Sequence, residues 1–145
     1  MSSPSASRAF FRNIEQVARG CDWPIDAREH NRVGFYFNGG ALVHRRTVWV
    51  FEDDLLDSIV TFCACRLDPD DMPDGLYRFL LERNEELDFG SWQCGLFKGQ
   101  MTFSITTFLQ IEGLRPARFK AVCGKLVNEA AALDAVFHKR GLFRT

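Results

Sequence analysis

The chain has 145 residues, 46% of them hydrophobic and 14 of them Phe, and its 18 Lys and Arg stand against 19 Asp and Glu for a formal net charge of -1. That length and apolar content suit one domain with its own core, so neither disulfides nor metal is needed to hold it together. The charge balance excludes the basic footprint of a nucleic-acid or anionic-membrane binder, and no stretch is long and apolar enough to span a bilayer.

Residues 1–6, MSSPSA, are small and polar and read as a frayed tail, which puts the domain at 7–141. The N-terminus has no apolar h-region, so the default compartment is the cytoplasm. Ser7 is a suitable N-cap for a helix whose stripe is Phe10, Phe11, Ile14, Val17, Ala18 and Cys21, with Gly20 and Pro24 ending it. Val33, Phe35 and Phe37 then alternate with Gly34, Tyr36 and Asn38, and NGG at 38–40 supplies a tight connection to a return strand through Val48, Trp49, Val50 and Phe51. LLDSIVTFCACRL (55–67) is strand-rich and apolar on both faces, the mark of an inner strand covered on both sides or lying at a subunit contact.

DPDDMPDG (68–75) has the wrong spacing for a calcium loop, and its aspartates suit the positive end of the helix that follows. That helix spans 76–87, with Leu76, Tyr77, Leu80, Leu81, Asn84 and Leu87 as its buried stripe. A second hairpin follows, its dry face carrying Trp92, Cys94 and Leu96 on one strand and Met101, Phe103, Ile105, Thr107 and Leu109 on the other. Pro116 opens a last helix with the stripe Phe119, Val122, Cys123, Leu126, Val127, Ala130, Leu133 and Phe137, ended by Gly141. The order predicts an α+β fold, an α-β-β-β-α-β-β-α sandwich with a twisted, largely antiparallel sheet covered by helices.

Candidate chemistry is sparse. Cys21, Cys63, Cys65, Cys94 and Cys123 show no paired metal-ligand spacing and read as buried, reduced thiols, Cys94 included by its inward strand parity. His30, His44 and His138 fall in three separate elements, and the runs HRR (44–46) and HKRGLFR (138–144) read as solvated charge. Asn84 is the odd polar residue on an apolar stripe and reads as structural, bonding backbone groups or forming part of a contact. No catalytic residue, cofactor site or metal site is expected.

The segment LLERNEELDFGSWQCGLFKGQMTFSITTFLQIEGLRPARFKAVCGKLVNEAAALD (80–134) resembles the YbjN family, whose pattern it matches at Asn84, Leu87, Phe89, Gly90, Gly113 and Leu114. The resemblance implies the fold of type III secretion chaperones, which commonly dimerise and hold partly unfolded segments against apolar surface. Other YbjN-like proteins are labelled sensory-transduction regulators. It therefore implies a non-enzymatic, homodimeric protein-binding domain. The residues supply a surface for this: Tyr36, Trp49 and Phe51 lie on strand faces opposite Phe35, Phe37, Val48 and Val50, and either the middle helix covers them or a partner or second subunit does. The alternative is a small-molecule-binding or enzymatic domain with a pocket between helix and sheet.

Overall fold

The computed structural model describes residues 4–142. Helix α1 (Pro4–Cys21) is followed by strands β1 (Ala27–Glu29), β2 (Arg32–Asn38), β3 (Arg45–Phe51) and β4 (Asp57–Phe62), helix α2 (Leu76–Glu86), strands β5 (Ser91–Phe97) and β6 (Gln100–Leu109), and helix α3 (Pro116–Lys139). The six strands form one sheet in the order β1-β2-β3-β4-β6-β5, every neighbouring pair antiparallel. The α+β class holds. Two local expectations change: a three-residue strand, β1, joins the edge beside β2, and α1 starts at Pro4 rather than at Ser7, so Pro4–Ala6 are helix and not a frayed tail. Residues 1–3 lie outside the described residues.

Strand alternation sorts the side chains into two faces. In register, Val33 faces Val50 and Phe35 faces Val48 across β2–β3, while Ile59 faces Thr107 and Thr61 faces Ile105 across β4–β6. Val33, Phe35, Val48, Val50, Ile59 and Ile105 belong to one buried cluster with Ile14 and Val17 of α1, Leu76 and Leu80 of α2, and Phe119, Leu126, Ala130 and Phe137 of α3. All three helices therefore pack on the same face. Each large aliphatic or aromatic side chain buried there contributes roughly 1.5–3 kcal/mol. Trp23 closes one end of this layer, its ring 5.2 Å from Phe37 and 5.8 Å from Phe119.

Gly20 is the penultimate residue of α1, and a side chain there would run into Pro116, so it permits the close approach of α1 to the start of α3. The aspartates of 68–74 do not cap α2: the helix starts from Gly75, with positive φ and no side-chain cap, while Pro69–Asp71 form a 3₁₀ turn. The long run at 55–67 is strand only over Asp57–Phe62, inner as expected between β3 and β6, and Leu67 makes an isolated bridge to Met101.

One buried charge pair fastens α3 to the sheet. Arg46 shares the inward face of β3 with Val48 and Val50, and its guanidinium lies 2.7 Å from the carboxylate of Asp134, the two residues being 4% and 0% exposed. Asp134 also accepts the N–H groups of Ala64 and Cys65, each at 3.0 Å. The HRR run is thus not solvated charge throughout: Arg46 is core, because its parity is that of the buried valines. Removing the carboxylate leaves a buried cation and two N–H groups, that of Cys65 buried and that of Ala64 part-buried, without an acceptor. Asp134→Ala should therefore cost about 3–5 kcal/mol in chemical denaturation, and a loss below about 1 kcal/mol would mean that the pair does not anchor the helix.

Candidate protein-binding surface

The face of the sheet away from the helices carries Tyr36 on β2, Trp49 and Phe51 on β3, Val60 and Phe62 on β4, and Phe108 on β6. Cross-strand register places Gly34 opposite Trp49, Trp49 opposite Val60, Phe51 opposite Ser58 and Ser58 opposite Phe108. The three expected residues, Tyr36, Trp49 and Phe51, thus share one face, and no helix lies over it among the described residues. α2, the candidate cover, packs instead against β5 and α3 on the core side. Tyr36 is 40% exposed, Phe62 46% and Phe108 50%; Trp49 and Phe51 are half-buried. Val60 is buried but lies outside the helix-packed cluster.

Part of this cover is lateral. The Trp49 ring lies close over Gly34, where a Cβ would come within 2.9 Å of it. Arg32 stacks on Trp49 at 4.6 Å and on Phe51 at 5.3 Å, and Arg45 stacks on Tyr36 at 3.8 Å. Arg32 is held by Glu29 at 2.5 Å, whereas Arg45 has no carboxylate partner among the described residues. Stacked guanidinium groups cover rings without removing the apolar surface between them. Phe62 and Phe108 extend the patch beyond the three residues first singled out. Their signal was parity: Phe108 continues the outward row of Thr102, Ser104 and Thr106.

On the core side, a polar clamp joins α2, α3 and β5. Glu129 accepts two hydrogen bonds from Arg83, at 2.7 and 2.9 Å, and one from Nε1 of Trp92 at 3.1 Å. Asn84 accepts the Trp92 N–H at 2.6 Å and donates to its carbonyl at 3.2 Å, which gives Asn84 the structural role expected of it. Only Leu76 and Leu80 of the α2 stripe are buried; Tyr77 and Leu81 are exposed, since they sit about 100° around the helix from the pair that meets the core. Cys94 is likewise exposed rather than buried: its parity is inward, but it lies on an edge strand beyond the reach of the helix layer.

Burial pushes the Cys63 thiol well above its ordinary range, with the Asp134 carboxylate adding to the effect, and burial pushes Cys123 up to about 12. Neutral buried thiols are poor nucleophiles. His30 lies in the turn between β1 and β2, His44 just before β3, and His138 near the end of α3. Among the described residues no three His, Cys, Asp or Glu side chains gather closely enough to hold a metal ion, and no helix is long and apolar enough to cross a membrane. A cleft of about 440 Å³ between α3 and the start of β5 is lined by Asp88, Thr107, Arg118 and Lys125 among others. Its three charged residues stand exposed, and Lys125 lies over the Phe89 ring at 5.5 Å.

Comparison with known proteins adds no relative: no family model, no curated protein and no solved structure matches the chain.

Two measurements follow from this geometry. Maleimide labelling of the native protein should modify one of the five thiols rapidly, and Cys94→Ser should abolish that fast phase; rapid labelling of two or more would contradict the buried placement of the rest. The hydrogen bonds from Arg83 hold Glu129 below its ordinary acidity range. A depressed carboxylate stabilises the fold above the unfolded value, near pH 4.3, and the contribution disappears as pH falls through the folded one. Glu129→Gln should then lower stability at pH 7 by roughly 1–2 kcal/mol and narrow its difference from wild type below about pH 4. A difference independent of pH would refute the assignment.

Proposed function

We propose that this chain is a non-catalytic protein-binding domain, chaperone-like or regulatory, which works as a homodimer in the cytoplasm. One observation carries the reading: a sheet face bearing exposed Tyr36, Phe62 and Phe108 and half-buried Trp49 and Phe51 has no helix over it among the described residues, while all three helices pack on the other side. Tyr, Trp and Arg dominate the energetics of protein interfaces because they bury much area at low entropic cost and keep a polar edge, and here Arg32 and Arg45 stand among the rings. The resemblance of residues 80–134 to YbjN proteins supports a binding role, and the secretion-chaperone fold it implies is one that works by holding apolar segments. Cys63 and Cys123 are buried thiols outside any disulfide, which suits a reducing compartment.

Phe62→Ser combined with Phe108→Ser removes two exposed rings of the face without touching the helix-packed core. Affinity capture from the native host with this variant and the wild-type chain in parallel should yield proteins held by the wild type and lost by the variant. A broad set of unfolded chains would assign the chaperone role, and one recurrent protein the regulatory role. Identical captures by two equally folded baits would overturn the reading.

A further inference from the structure

We propose that β5 is the seam of the homodimer, pairing antiparallel with β5 of a second copy about a twofold axis through Gly95. The proposal rests on the homodimer of the reading above and places its contact; it does not require the open face to bind anything.

The two sheet edges are treated differently. β1 is three residues long, and its charged side chains Arg28 and Glu29 are exposed and engaged by Glu15 and Arg32. Short, charged edges resist pairing. β5 is seven residues long, SWQCGLF, with no charge and no proline, and Gln93 to Phe97 are all exposed. An uncharged apolar edge of this kind is what another strand adds to.

Its free backbone groups fix the register. Trp92 turns its N–H and carbonyl away from β6, and Asn84 occupies both. By alternation, Cys94 and Leu96 also point theirs outward, while Gln93 and Gly95 bond to β6. The other side of β6 agrees, since Met101 and Phe103 bond toward Leu67 and Cys63. The open edge is therefore Cys94 and Leu96, with Asn84 stopping the ladder before Trp92. An axis through Gly95 sets Cys94 opposite Leu96 of the second copy and the reverse, so all the free groups pair. An axis through Cys94 would set Leu96 against the occupied Trp92. An axis through Leu96 would set Cys94 against Lys98, which has already entered the turn with φ 51°.

The side chains suit this register. Leu96, 67% exposed, and Phe97, 51% exposed, are covered across the axis, and no like charges meet within the paired strands. The α2 stripe that carries Asn84 also carries Leu81 and Tyr77, both exposed, which extends the apolar surface from the strand edge onto the helix. Gly95 sits at the axis as a pair without mutual hydrogen bonds, the closest approach in an antiparallel ladder, and within the monomer nothing lies within 4 Å of a Cβ placed there.

Substitution of Gly95 is consequently a test that spares the monomer. Sedimentation velocity should show a concentration-dependent dimer for the wild type. Gly95→Glu, which opposes two carboxylates on the axis, should weaken it by ~10-fold or more with an unchanged circular dichroism spectrum. In a Cys94→Ser background, Gly95→Cys should cross-link to a covalent dimer under diamide, since residues facing at this position lie within disulfide reach; wild-type Cys94, set opposite Leu96, should cross-link poorly. A wild-type monomer at all concentrations would overturn both the homodimer and its seam. A dimer untouched by Gly95→Glu, or one cross-linked efficiently through Cys94, would overturn the seam alone.

Discussion

The Asp134 carboxylate takes the Arg46 guanidinium and the two N–H groups that follow β4, so α3 lies on the sheet in one place and one orientation. Hydrophobic burial supplies the bulk of the stabilisation, but it is non-directional and would tolerate some sliding of a 24-residue helix across β3, β4 and β6. A buried ion pair is a poor source of net stability, and its value lies in what misplacement would cost: an unpaired cation and two orphaned donors. With α3 fixed, the rest of the helix layer follows. α1 packs on it through the close contact of Gly20 with Pro116, and α2 is tied to it through Arg83 and Glu129.

The consequence for function is geometric. Three helices gathered on one side of a six-stranded sheet leave the other side without a helix among the described residues, and the outward positions of β2 and β3 there carry Tyr36, Trp49 and Phe51 where a solvent-facing row is ordinarily polar. The same layer stops short of the β5 edge, where Asn84 satisfies the Trp92 backbone and the clamp ends. Two unfinished surfaces result, a broad aromatic face and a short neutral strand edge. They lie on different parts of the molecule. Burial holds the Cys63 and Cys123 thiols above their ordinary range, so both stay protonated at neutral pH.

Much of this was legible from the chain alone, for a definite reason. Helix stripes and strand alternation are local periodicities, and Val33–Phe35–Phe37 or Phe119–Val122–Leu126 announce their buried faces without reference to anything distant. Tyr36, Trp49 and Phe51 could be assigned to the opposite parity in the same way, though parity does not say which helices lie where. What escaped depends on partners far apart in sequence. Arg46 looks like one of a solvated cluster until Asp134, on the last helix, is set beside it. Cys94 has an inward parity that means burial only where a helix reaches. Tyr77 and Leu81 look like core because α2 is apolar on a wide arc, and the narrow contact with α3 and β5 uses only part of it. β1 is three residues long with two charges, too brief for any periodic signal.

Hydroxyl-radical footprinting of the intact protein tests the one-sided placement of the helices most directly. Tyr36, Phe62 and Phe108 should be oxidised readily and Trp49 and Phe51 to a lesser degree, while Phe35, Phe103, Phe119 and Phe137 stay protected. Protection of the outward aromatic set as a group in the isolated monomer would contradict the account, because some part of the chain would then cover the face it leaves open.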